Sequence, residues 1–161
     1  MNTHLKVLLL TLTAMTGRAW AQSAGDVTRA IAASNHEVVA YLPFAEQLDI
    51  AEALRVAALR GRRIYLITSQ DGIRDPHGFT LRLAHVPGVL TYLASPGGQP
   101  FVMIDGTTTY SGSALVQDGA GTQLNVVQTG ALLAWARGVT KQMPIRKMEL
   151  LKLRYVPVSA R

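Results

Sequence analysis

The chain has 161 residues, no cysteine and a formal net charge of +6, with 48% of its residues hydrophobic and 16% charged. The missing cysteine excludes disulfide staples and lipid attachment at a thiol. The apolar share excludes a long disordered region, and the length suits one domain around one core.

Residues 1–21 read as a secretory signal peptide. Lys6 precedes the apolar run Val7–Met15, and Ala19-Trp20-Ala21 makes a small-x-small cleavage site before Gln22. The run is far shorter than the roughly 20 residues that span a bilayer, so no transmembrane anchor is expected after cleavage. The product would be exported, to the periplasm or out of the cell.

A short helix is expected over Ala24–Ser34, where Val27, Ala30 and Ile31 recur at helical spacing and Asp26 favours a helix start. Val38–Leu42 is a continuous apolar run stopped by Pro43, the pattern of a strand buried on both faces. Residues 46–61 give the clearest helix, with Ile50, Ala53, Leu54 and Ala57 on one face, Asp49, Glu52 and Arg55 off it, and Gly61 as its stop. Arg62–Thr68 follows as a second strand, so strand, helix and strand make a parallel unit with a right-handed crossover. The class is therefore α/β, a mixed and mostly parallel sheet flanked by helices.

Residues 69–79 form a turn-rich loop at the carboxyl end of that strand, the side where parallel sheets bind ligands. Gly88–Ser95, Pro100–Gly106, Thr107–Gly112 and Thr122–Gln128 read as further strands, and Gly130–Met143 as a helix bounded by Pro144. Met148–Val158 fits a strand or an extended arm. The domain would span residues 22–143, followed by a basic tail over 144–161. From residue 140 onward, Lys141, Arg146, Lys147, Lys152, Arg154 and Arg161 face only Glu149. Such a tail could hold nucleic acid, anionic lipid headgroups or another anionic phosphate ligand, or keep the protein soluble.

This order, with its Ile104-Asp105-Gly106 turn and the following Ser111-Gly112-Ser113, resembles the phospholipase D superfamily. The resemblance is nearest to its small exported bacterial members, single-motif endonucleases that act as homodimers. It covers about Val27 to Met143. The family signature is H-x-K-x4-D-x6-G-S-x-x-N, and Asp105, Gly112 and Ser113 stand at the required spacing.

Three signature positions depart from the pattern. The His position is Gly98, the Lys position Pro100 and the Asn position Val116. In the family the His attacks phosphorus, a second His from the other subunit protonates the leaving group, and Lys and Asn hold the phosphoryl oxygens. Glycine offers no nucleophile, and proline neither an ammonium nor an N–H. The carboxylate that orients the His in the family would fall near Gln123, which keeps the size and loses the charge. The resemblance thus implies a degenerate motif, a non-catalytic protein and a homodimer. Asp105, Ser111, Gly112, Ser113, Gln123 and Arg74 are the candidate ligand-binding residues. For Asp105 a turn-forming role is favoured, its carboxylate accepting backbone N–H bonds beside Gly106.

A relocated nucleophile is the alternative, giving an active phosphodiesterase or endonuclease. His77 on the loop, with Arg74 near it in sequence to hold a phosphate, and His85 at a strand entrance are its weak candidates. His36 reads as structural. With no cysteine and no ligand spacing among the histidines, no metal site and no cofactor are expected.

Overall fold

The structure is a computed structural model that describes residues 23–95 and 97–155. The expected signal peptide, and the tail beyond Tyr155, lie outside these residues.

Helix α1 (Ala24–Ala32) starts in a capping box, in which the Ser23 and Asp26 side chains each accept the other residue's backbone N–H. Strand β1 (Glu37–Tyr41) leads to α2 (Leu48–Leu59), capped by the buried Gln47 side chain. Strand β2 (Arg63–Thr68) is followed by two short helices, α3 (Gln70–Arg74) and α4 (Thr80–Ala84). Strands β3 (Val89–Leu93), β4 (Phe101–Ile104), β5 (Thr108–Ser111) and β6 (Asn125–Val127) precede α5 (Thr129–Thr140) and α6 (Lys147–Tyr155).

The six strands form one sheet in the order β3-β2-β1-β4-β5-β6. The mixed sheet and the β1-α2-β2 unit are as expected. The parallel majority is not: β1-β2 and β2-β3 are parallel, while β1-β4, β4-β5 and β5-β6 are antiparallel. For one of these pairs the reason is local: Asp105, Gly106 and Thr107 connect β4 to β5, and the positive φ of Asp105 and Gly106, 50° and 67°, turns β5 back along β4.

Side chains alternate across the sheet. Val38, Ala40, Ile64, Leu66, Val102 and Ile104 enter the main core with α1 and α2, whereas Val39, Tyr41, Ile67, Phe101 and Met103 point to the face that α5 covers. The loop expected after β2 contains α3, and α4 is an element the sequence pattern did not indicate.

The final segment is neither strand nor arm. Residues 147–155 are helical, Leu150 is fully buried in the main core, and α6 packs on α3. The preceding Ile145 donates its N–H to the Thr91 carbonyl at 2.8 Å, covering part of the β3 edge. The segment expected as a basic tail is therefore, as far as Tyr155, a packed part of the domain. None of the described helices is long and apolar enough to cross a membrane.

Candidate functional site

Strand register gathers one end of the sheet. Tyr92, Ile67, Tyr41, Phe101, Ser111 and Asn125 are successive cross-strand partners, at the carboxyl ends of β1, β2 and β3. The Gly97–Pro100 loop, which carries Gly98 and Pro100, lies over this row.

The loop is fixed from below. The Tyr41 hydroxyl donates to the Gly97 carbonyl at 3.1 Å and accepts the Gly97 N–H at 3.2 Å. On the β5 side, the Pro100 carbonyl accepts both the Ser111 hydroxyl at 2.9 Å and the Gly112 N–H at 3.1 Å. The Ser113 hydroxyl accepts the Gln123 N–H at 3.1 Å, and the Gln123 carbonyl accepts the Ala114 N–H. Glycine is needed at 112, because a Cβ there would stand 2.0 Å from the Gln123 carbonyl oxygen. Ser111, Gly112, Ser113 and Gln123 are thus brought together with Pro100, and their shown contacts hold the backbone frame.

Asp105 and Arg74 are not part of this group. Asp105 ends β4 at the opposite end of the sheet, where its carboxylate accepts the N–H groups of Asn35, His36 and Glu37 at 2.8, 2.8 and 3.0 Å. Desolvation pushes its pKa up, but the three N–H bonds and the nearby His36 outweigh it and hold the carboxyl below its ordinary range. Arg74 directs its Nε to the Leu153 carbonyl of α6 at 3.2 Å. Val116, at the Asn position, packs against the main core.

Neither candidate His stands beside an anion clamp. His77 is exposed and bonds through its backbone N–H to Asp75. His85 is the C-cap of α4, not a strand entrance; its Nδ1 bonds the Leu81 carbonyl at 2.8 Å and its Nε2 is buried without a protein partner. Among the described residues no cluster of His, Asp and Glu is placed to hold a metal ion.

Beside Gly98 there is a pocket of about 240 Å³, lined by Tyr41, Gly97, Gly98, Gln99, Phe101, Leu132 and Trp135. Its aromatic rings interlock, with centroids 5.0 Å apart for Tyr41–Trp135, 5.8 Å for Phe101–Trp135 and 5.9 Å for Tyr41–Phe101. No charged side chain lines it. The motif reading did not reveal this pocket; the only signal was an aromatic residue in each of three apolar elements that register and α5 bring together.

No protein-family model and no curated protein matches this chain. Solved structures do. NucT from Helicobacter pylori superposes with a TM-score of 0.62 at 17% identity, covering 74% of this chain and 88% of its own. Nuc from Salmonella typhimurium, a phospholipase D family member, gives 0.58 at 18% identity with the same coverages of 74% and 88%. TrmBL2, an archaeal chromatin protein whose structure shows a mode of DNA binding, gives 0.52 at 9% identity, covering 79% of this chain and 52% of its own. At these identities the likeness concerns architecture, and the chain has the phospholipase D-like fold.

Proposed function

We propose that this is an exported, non-catalytic phospholipase D-like protein that binds a partner where a catalytic site would stand. One observation carries the reading. The positions for a nucleophilic His and an anion-clamping Lys hold Gly98 and Pro100, and the space beside them is an aromatic pocket without a cation. Such a pocket suits an apolar or aromatic group better than a phosphate.

A protein partner is the better of the two ligand classes on these grounds. Around the pocket, α5 exposes Gly130, Ala131, Ala134, Trp135 and Gly138 with Arg137 as the one exposed charge, a surface with little polar character for a helix in water. The homodimer that the resemblance implies would bury this face, with the partner copy as the protein ligand. The periplasm or the exterior remains the proposed location, on the strength of residues 1–21.

Residues 22–161 contain one tryptophan, Trp135, which lines the pocket and reports on it. Titration with N-acetyl-phenylalanine amide should change Trp135 emission saturably, and Leu132→Phe, which narrows the pocket, should weaken the response. A saturable response to inorganic phosphate, with none to the aromatic probe, would contradict the reading.

A further inference from the structure

The three most exposed large hydrophobic side chains among the described residues all belong to one short stretch. Met143 is 83% exposed, Tyr155 75% and Met148 68%. Lys141, Arg146 and Lys152 are exposed in the same stretch, where Glu149 is the one acidic residue. Three such side chains between residues 143 and 155 exceed the singly scattered apolar residues of an ordinary surface.

The helix orders these groups. Met148, Lys152 and Tyr155 follow each other at intervals of four and three residues, so they share the outer face of α6. The inner side is anchored: Leu150 is fully buried, the Leu153 carbonyl accepts the Arg74 Nε, and Lys147 Nζ bonds the His85 carbonyl at 2.8 Å. A cation between two apolar side chains is thus presented on a docked helix.

We infer that α6 and the Lys141–Arg146 segment before it form a docking surface for an anionic lipid bilayer. Met148 and the Tyr155 ring enter the boundary between headgroups and acyl chains, the Tyr155 hydroxyl stays among the headgroups, and Lys141, Arg146 and Lys152 meet the lipid phosphates. A nucleic acid would use the same cations but has no apolar layer to receive unbranched thioether chains. The helix is short and the charge modest, so the binding is reversible and falls with salt. This surface is independent of the aromatic pocket.

The test is flotation of residues 22–161, whose core closes within Val27–Leu150, with phosphatidylcholine vesicles with and without phosphatidylglycerol. The chain should float with anionic vesicles only. Met148→Ser with Tyr155→Ser should weaken this by about tenfold, Lys152→Glu should weaken it several-fold, and Leu48→Ser, a distant exposed apolar control, should leave it unchanged. Unaltered circular dichroism shows that each variant is folded. The proposal fails if anionic vesicles are not bound, or if the double serine variant binds them as well as the parent does. It also fails if plasmid DNA is bound at the same salt more tightly than the vesicles, with no effect of the serine changes, since that describes a nucleic-acid surface.

Discussion

The Tyr41 hydroxyl meets both the N–H and the carbonyl of Gly97, so the last residue of a buried strand fixes the loop that carries Gly98 and Pro100. The same ring packs edge-on against Trp135. Tyr41 therefore holds the floor of the pocket and its rim together. Tyr41→Phe keeps the ring and removes the staple. Because Gly97 is exposed and water can replace the lost partner, the cost should be only about 1 kcal/mol in urea denaturation. Tyr41→Ala also opens a cavity and should cost about 3–5 kcal/mol.

Gly112 should be intolerant of any side chain. Its Cβ would collide with the Gln123 backbone, at a φ of 149° that other residues rarely adopt. Gly112→Ala is expected to lose more than about 2 kcal/mol or to prevent folding. Gly138, inside α5, has open space around its Cβ position, and Gly138→Ala should gain about 0.5–1 kcal/mol. Thermal unfolding of the two variants beside the parent separates these opposite outcomes.

Asp105 predicts an acid-dependent contribution to stability. Its folded pKa lies below the ordinary 3.8, so the unfolded chain binds the proton more readily than the folded one. The stabilisation is complete above the ordinary value and is lost as pH falls through the folded pKa. Asp105→Asn keeps a residue that tolerates the turn, but offers one acceptor oxygen to three N–H donors. It should cost about 1–3 kcal/mol at neutral pH. The difference from the parent should shrink in strongly acidic solution, which denaturant titrations across pH will show.

Restoring the signature should not restore chemistry. Gly98 has φ 91°, a conformation unfavourable for histidine, although the space around it is open. Gly98→His with Pro100→Lys is expected to give no phosphodiester turnover above the parent, measured on a chromogenic phosphodiester. A clear gain would show that the backbone still holds the catalytic geometry.

Much of this fold was legible because local signals agreed with the global one. Val38–Leu42 read as a central strand, Ile50, Leu54 and Ala57 as a buried helix face, and Asp105-Gly106 as a hairpin turn. Helix α4 escaped because five residues give hardly more than one turn of periodicity. Helix α6 escaped because Leu151 and Leu153 also alternate as in a strand; the packing of Leu150 into the core decides its form. At the site, the spacing from Asp105 to Ser113 revealed the frame. The pocket stayed hidden, because Tyr41, Phe101 and Trp135 are sixty and thirty-four positions apart and meet only through strand pairing and the placement of α5.

The proposed loss of catalysis, with Gly98 and Pro100 at the His and Lys positions, is tested most directly by turnover of a chromogenic phosphodiester and of plasmid DNA by residues 22–161, from acid to neutral pH with chelator present, alongside His77→Ala. No turnover in a well-folded sample is the expected result. Turnover that survives chelation and disappears in His77→Ala would contradict the account and establish a relocated nucleophile.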